Sequence, residues 1–398
     1  MTNIFSIEKY NKSEEERCPF PTGILSVNLQ ILQKNIEAIR NHVQKRSNNT
    51  AIKYLLPVKS NAYGHGIRAV ASFIESQKLC DYLGVAHLQE AYVLREHGIA
   101  LPILVLDPIT YSKQEIEYIV EHDIEIEISD ILLLQKLQYV AEKMHKTARI
   151  HLSVDTGMGR SGALPKDIPD LLEQITRCQN ISLQGVMTHF SVADEEAEQD
   201  CTFTTSQINE FKKIKELVLK KFSHTILFHA LNSAGTILYI EGLCDMVRPG
   251  IASYGYPGVS NELQLEPVME LTSQIALVKM FPQDHPIGYG RTYVTAQGGE
   301  RIGIIPIGYG DGLFRALSNK AEMIVGGKRQ PLRGRISMDQ CSVSISSDDK
   351  IGDEVVLLGR RGTVSEYADD LAEVAGTISY EVQCALGNAH RLRHVYHY

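Results

Sequence analysis

The sequence has no C-x-x-C pair, and its seven cysteines (Cys18, Cys80, Cys178, Cys201, Cys244, Cys341 and Cys384) are scattered and odd in number. That spacing excludes a disulfide framework and predicts a reduced, cytoplasmic protein. No basic run stands out in a chain of net charge -8, so the electrostatic footprint of a nucleic-acid binder is missing. No apolar stretch is long enough to span a bilayer, and residues 1–17 lack the apolar core of a signal peptide. Internal repeats and low-complexity segments are absent too. A small-molecule enzyme without nucleic-acid or membrane partners is the class that survives.

With 398 residues, 43% of them hydrophobic, the chain can bury a large core and exceeds what one compact domain usually holds. From Ala51 onward, apolar β-rich runs recur, each followed by a segment of helical periodicity. The predicted strands are Ala51–Val58, Tyr82–Ala86, Ile103–Leu106, Ile124–Ile128, Arg149–Val154, Leu183–Met187, Ile226–Ala230 and Asp245–Val247. The clearest helix is Phe203–Phe222, where Ile208, Phe211, Ile214 and Val218 recur at three-to-four-residue spacing. Alternating β and α units predict parallel strands under covering helices, and eight of them suit a parallel (β/α)8 barrel; an open doubly wound sheet is the alternative. No G-x-G-x-x-G follows any of these strands, which removes support for the dinucleotide-binding version of that sheet. Beyond Glu262, short strand-like segments (Val268–Val278, Arg301–Ile307, Ala321–Val325, Cys341–Ile345, Glu354–Leu358) separated by turn residues predict a mostly-β C-terminal domain. The expected division is an extension over 1–21, a barrel over 22–262 and a β domain over 263–398, with 22–30 pairing into the β domain.

Chemistry in a barrel collects where strands end. The polar residues there are Lys59, His87, Asp107, Ser129, Asp155, His189, Asn232 with Ser233, and Arg248. Lys59 ends an apolar run and is followed by Tyr63, Gly64 and Gly66. Desolvation disfavours an ammonium ion, so a lysine buried at a strand end is suited to condense with an aldehyde. Asp155-Thr156-Gly157-Met158-Gly159-Arg160 puts an arginine on a glycine-rich loop, where it can hold a carboxylate by two parallel hydrogen bonds. Ser233 and the Arg248-Pro249-Gly250-Ile251 stretch offer a hydroxyl and backbone N–H groups at helix starts, an arrangement that favours phosphate. The tail His390–His397 carries histidines at helical spacing; such runs seldom bind metal functionally, and no metal is expected.

Taken together, Val58–Gly66, Asp155–Gly162, Thr188-His189-Phe190, Asn232-Ser233-Ala234, Met246–Ile251, Gly288–Tyr293, Ile305–Gly312 and Arg335–Gln340 make the chain resemble the alanine racemase family over Thr22–Tyr396. The resemblance implies a pyridoxal 5'-phosphate enzyme, a barrel plus β domain, a small amino-acid substrate and a homodimer with shared active sites. It implies that Lys59 bonds the cofactor and acts as acid or base on one face of the substrate, while Tyr289 from the partner's β domain acts on the other. It implies that Arg248 faces the pyridine nitrogen with His189 orienting it, that Tyr63, Ser233, Gly250 and Ile251 hold the phosphate, and that Arg160, Tyr309, Met338 and Asp339 serve the substrate carboxylate or the mouth of the site. Two positions depart from the family pattern. Ser153 stands where the family often has a carbamylated lysine that positions the arginine, so Arg160 must be oriented by an anion or another carboxylate. Asn388 stands where a tyrosine usually lies beside the cofactor phosphate and substrate pocket, which predicts activity on serine as well as alanine. A broad-specificity racemase, a decarboxylase of the same barrel class and a non-catalytic pyridoxal phosphate homeostasis protein are the competing readings. Arg248 opposes the decarboxylase, and Tyr289 with the second domain opposes the homeostasis protein.

Overall fold

A computed structural model describes residues 20–195, 197–239, 244–260 and 262–398; nearly all of the expected extension, Cys18 included, lies outside them. The chain divides into two compact units. One comprises Gln33–Ser60 and Ala71–Leu265; the other comprises Glu266–Tyr398, Asn61–Val70 and the described part of Met1–Leu32.

Strand β1 (Gly23–Asn28) belongs to the second unit. The first unit is built on β2 (Lys53–Pro57), β3 (Tyr82–Val85), β4 (Ile103–Val105), β5 (Glu125–Ile128), β6 (Ala148–Ser153), β7 (Ile181–Met187), β8 (Leu227–His229) and β9 (Met246–Val247). These are the eight strands expected from the sequence, and among the described residues they form one parallel sheet in the order β8-β7-β6-β5-β4-β3-β2-β9. Strands β3, β4 and β5 are buried at every position, as a sheet covered on both faces requires. Leu55, Tyr82, Leu104, Met187 and Met246, from five strands, pack into one buried cluster.

The helices between the strands follow local rules. The helix Lys113–Glu121 starts at a reciprocal cap, Glu115 N–H donating to Ser112 Oγ and Ser112 N–H to the Glu115 carboxylate, each at 3.2 Å. The helix Ile168–Arg177 buries Ile168, Leu171, Leu172 and Ile175, the i, i+3, i+4, i+7 stripe that faces a sheet. The expected helix Phe203–Phe222 spans Glu198–Lys221, because its polar first turn carries no hydrophobic periodicity to mark it.

Closure of the barrel is uneven. Strand β9 pairs with β2 through Lys53↔Met246 and Tyr54↔Val247. Among the described residues no ladder joins β8 to β9. The gap is bridged instead by Asp245 N–H to Phe228 C=O (2.8 Å), Phe228 N–H to the Asp245 carboxylate (3.0 Å) and Arg248 N–H to Leu231 C=O (2.9 Å).

In the second unit, β1 lies between β10 (Met269–Gln274), antiparallel to it, and the final strand Leu392–His397, parallel to it from Gly23↔Leu392 to Asn28↔His397. The histidine-bearing tail is therefore a strand, not a helix. Successive side chains alternate faces, and among the described residues no group of three or more His, Cys, Asp or Glu could hold a metal ion. The run Val268–Val278, expected as one strand, breaks into β10 and Leu277–Phe281. Ile275 N–H goes to Asp353 C=O and the next, Ala276 N–H, to Ile304 C=O, so the chain changes sheets there while staying extended. The helices Ala368–Ala375 and Ser379–Gly387 complete the unit.

Segment Asn61–Val70 packs against Ser379–Gly387 at backbone distance. A Cβ on Gly64, whose φ is +83°, would lie 2.3 Å from the Gln383 carbonyl oxygen, and one on Gly387 would lie 2.0 Å from the Gly64 carbonyl oxygen. Left-handed backbone and overlap with a main chain that cannot rotate away both penalise any side chain at Gly64. Gly64→Ala is expected to lower the unfolding free energy by about 3 kcal/mol; urea denaturation checks this, and a loss under ~0.5 kcal/mol would show that the segment repacks freely.

Candidate active site

Strand β2 ends at Pro57, Val58 N–H bonds to Gly84 C=O at 2.7 Å, and Lys59 opens a short helical segment, Lys59–Tyr63. Lys59 is half-buried rather than buried, because it stands at the strand's open end. The turn after it is left-handed: Ser60, Asn61, Ala62 and Tyr63 all have φ between 53° and 57°. Non-glycine residues adopt this conformation only under constraint. Glu90 supplies one, its Oε1 accepting from Ser60 N–H at 2.6 Å while Oε2 accepts from Ala86 N–H at 2.8 Å. Asn61 supplies another, its Oδ1 accepting from Ile67 N–H (2.8 Å) and its C=O from Gly66 N–H (2.9 Å).

Arg248 follows β9 and is buried. Its Nη1 donates to His229 Nδ1 and to His229 C=O, both at 2.8 Å, and its Nη2 to Thr188 C=O at 2.7 Å. His189 Nδ1 is a longer contact, at 3.4 Å. The sequence named only His189 as the orienting residue; His229, at the end of β8, holds Arg248 more closely. Because a guanidinium can only donate, His229 Nδ1 must be an acceptor and its Nε2 must carry the proton. That N–H then donates to His151 Nδ1 (2.8 Å), and His151 Nε2–H to Glu125 Oε2 (2.7 Å). Four buried side chains from β5, β6, β8 and the end of β9 form a directional chain, with cation and anion at its ends and two neutral imidazoles between. Burial, then Arg248, then His151 hold the His229 pKa well below 6.5. Burial also draws the Arg248 pKa down to about 10, which leaves it charged at neutral pH.

His189 lies in the field of three cationic residues. Its pKa is lowered to about 3, by burial first and then by the charges of Arg248, Arg160 and Lys59. Of these three cationic residues chosen from the sequence, Arg248 is the one in contact with His189. Arg160 is exposed, on a loop tied down by Asp155, whose Oδ1 accepts from Gly157 N–H at 2.9 Å and Gly159 N–H at 3.1 Å. Ser233, Gly250 and Ile251 also come together: Ala252 N–H donates to Ser233 Oγ at 3.2 Å, and all three are buried. Among the described residues the N–H groups of Gly250 and Ile251 make no hydrogen bond, and neither does Arg248 Nε. Unpaired buried donors beside a hydroxyl fit a phosphate, and a spare guanidinium N–H fits a ring-nitrogen acceptor.

The second unit holds the remaining residues picked out from the sequence. Tyr63 is buried and packs on Tyr380, ring centroids 6.0 Å apart. Tyr289, 69% exposed, stands on a turn between Gly288 and Gly290, both with φ near +70°. A Cβ on Gly290 would meet Arg335 Nη1 at 2.6 Å, so the arginine lies flat on that turn. Tyr309, Met338 and Asp339 are exposed neighbours, Tyr309 N–H bonding to Ser337 C=O at 3.0 Å. Arg391, not singled out from the sequence, grips buried Asp311 with Nε (2.7 Å) and Nη2 (3.0 Å) and reaches Asp339 with Nη1 (2.6 Å). Asn388 is exposed next to Gly387; its Nδ2 donates to Cys384 C=O at 2.8 Å.

A parallel barrel with a lysine just past its first strand and a following β domain is the arrangement found in the amino-acid racemases, which are isomerases. The alanine racemase N-terminal domain profile matches residues 27–257 and the C-terminal domain profile residues 268–396. The chain belongs to the alanine racemase family. It is 39% identical to the Treponema denticola alanine racemase over 90% of this chain and 94% of that one, and 39% identical to the Clostridium novyi alanine racemase over 90% and 92%. The crystal structure of alanine racemase from Streptomyces lavendulae superposes with a TM-score of 0.86 at 32% identity, covering 95% of this chain and 97% of that one.

Buried histidines held neutral oppose folding in acid. His229 in the unfolded chain takes a proton below pH 6.5 and in the folded chain only well below that, so stability falls as the pH drops from 6.5. The His229 contribution is about 1.4 kcal/mol per pH unit. A His229→Gln variant, less stable at pH 8, should show a shallower loss between pH 6 and pH 4.5 in urea titrations; an unchanged slope would mean His229 is not held neutral.

Proposed function

We propose that this chain interconverts L- and D-alanine with pyridoxal 5'-phosphate, accepts serine as well, and works as a homodimer in the cytoplasm. The observation that carries the reading is a buried Arg248 held by His229, followed at once by unpaired N–H groups at Gly250 and Ile251 beside the Ser233 hydroxyl. The cofactor has an aldehyde for Lys59, a phosphate for Ser233, Gly250 and Ile251 with Tyr63, and a pyridine nitrogen for Arg248. When bound, it draws electrons from the α-carbon of an amino acid joined to it and so acidifies the α-proton.

The chain's own residues then decide the outcome. Lys59 holds a proton on one face of the α-carbon and Tyr289 of a second protomer on the other, so one removes what the other returns. Arg248, anchored through His229 and His151 to Glu125, keeps a positive charge beside the ring nitrogen and disfavours its protonation. Arg160 binds the substrate carboxylate; Tyr309, Met338 and Asp339 line its approach. Asn388 Oδ1 makes no hydrogen bond among the described residues and is free to accept one from a serine hydroxyl. No disulfide joins two of the described cysteines, in keeping with a reducing compartment.

Subunit mixing tests the shared site. Lys59→Ala and Tyr289→Phe homodimers should each lose racemisation. Unfolding and refolding them together should restore about one quarter of wild-type activity, since half the dimers are mixed and each holds one complete site. No recovery would place Tyr289 outside the partner's site. Asn388→Tyr should shift the alanine-to-serine ratio of kcat/KM toward alanine by about tenfold; an unchanged ratio would remove serine from the proposal.

A further inference from the structure

Tyr289 is too exposed to be placed by packing, so its position depends on the turn that carries it. That turn joins two strands of two residues each, Pro286–Ile287 and Tyr293–Val294, paired as Pro286↔Val294 and Ile287↔Tyr293. Among the described residues neither strand pairs with any other. A lone two-stranded hairpin is marginal in water even when its strands are longer than these. The turn is also left-handed at Gly288, Gly290 and Arg291, and the last of these, having a side chain, is strained by it. Bonds from outside the hairpin have to hold it in place.

At the foot of the hairpin Thr295 is buried, its Oγ1 donating to Pro282 C=O at 2.6 Å and accepting from His285 N–H at 2.9 Å. Nearer the turn the anchors are side chains. The Tyr293 hydroxyl donates to Glu300 Oε2 at 2.5 Å, and the Arg333 guanidinium lies over the Tyr293 ring, 4.5 Å from its centre. Arg333 Nε donates to Glu300 Oε1 at 2.9 Å and to Ser344 Oγ at 2.7 Å, so ring and carboxylate share one cation. Glu300 opens the strand Glu300–Ile305 and Ser344 ends its antiparallel neighbour Cys341–Ser344. The clamp thus ties a hairpin that has no wider sheet of its own to a sheet of the β domain. Asn319 adds a second tie, its Nδ2 donating to Thr292 Oγ1 at 3.0 Å and its Oδ1 accepting from Gly334 N–H at 2.6 Å.

We propose that Tyr293, clamped between Arg333 and Glu300, is a positioning residue that fixes the Tyr289 turn and so sets where the Tyr289 hydroxyl meets its face of the substrate. The substrate half of this statement rests on the racemase reading above; the clamp on the turn does not.

Two measurements test it, one of them without turnover. In hydrogen exchange followed by mass spectrometry, Tyr293→Leu should make the peptide spanning residues 288–294 exchange about fivefold faster while peptides from the barrel strands keep their rates; wild-type exchange in that peptide overturns the proposal. If Tyr293→Leu fails to fold, Tyr293→Phe decides instead, because it keeps the ring under Arg333 and loses only the hydroxyl: exchange faster by about twofold supports the clamp, and wild-type exchange overturns it. In the holoenzyme Tyr293→Leu should lower kcat for alanine about tenfold and leave KM within about threefold. The α-deuterium isotope effect should rise with the enantiomer whose proton Tyr289 removes and fall toward one with the other, since only one of the two proton transfers is slowed. Equal changes with both enantiomers would make Tyr293 a general structural residue and overturn the proposal. Tyr289→Phe separates this failure from that of the racemase reading: if it racemises like wild type, the two-face mechanism and the substrate half fall, and the exchange result alone judges the clamp.

Discussion

A buried guanidinium stands at the seam of this barrel. Among the described residues the backbone ladder between β8 and β9 is missing, and to the bonds of Asp245 and the Arg248 backbone that bridge the gap the Arg248 guanidinium adds two, to the side chain and carbonyl of His229 at the end of β8. A cation removed from water must have its donors satisfied, and here most of them are satisfied by strand-end groups across the seam. Placement of the cation and of the strand ends beside it are therefore linked. The two imidazoles behind it carry the requirement on to Glu125, on the far side of the barrel interior. A change at any of these four residues would disturb the seam together with the placement of the Arg248 charge.

Beside this chain packs an apolar cluster that includes Leu55, Leu104 and Met246. The chain itself runs from Glu125, the first residue of β5, to Arg248, just past β9, and the groups without partners lie toward the carboxyl ends of the strands, where a ligand could pair with them. Unpaired donors at Gly250, Ile251 and Arg248 are tolerable there because an anionic, aromatic ligand would use them. The acidic side of the account is smaller. Glu125 is committed to His151, while Glu127 is buried and, among the described residues, without a hydrogen bond.

Much of this could be read in the residues alone, for a definite reason. The eight barrel strands are short apolar runs bounded by turn residues, and the residues after them (Lys59, Arg160, His189, Ser233, Arg248) stand out because a polar group directly after such a run must face the open end. The polar interior was harder to see. In Glu125-Ile126-Glu127-Ile128 the alternation reads as a half-exposed strand, whereas here both faces are buried and the glutamates point into the barrel. Two glutamates in a strand flanked by helices on each side were the available signal. His229 escaped notice because it lies inside a predicted strand rather than after it. The assignment of Asn61–Val70 to the other compact unit depends on glycine contacts with a helix distant in sequence, which no local pattern reports.

The left-handed turn after Lys59 has a consequence for the order in which the protein matures. Each L-residue in that conformation costs about 1–2 kcal/mol, so Ser60 to Tyr63 together store on the order of 4–8 kcal/mol. That is comparable with the whole net stability of a typical domain, about 5–15 kcal/mol. The turn cannot exist in a loosely folded chain; it appears only once the surrounding bonds from Glu90 and Asn61 are in place. A partly unfolded molecule thus lacks the native placement of the backbone that follows Lys59. The turn next to Lys59 depends on the bonds that restrain it.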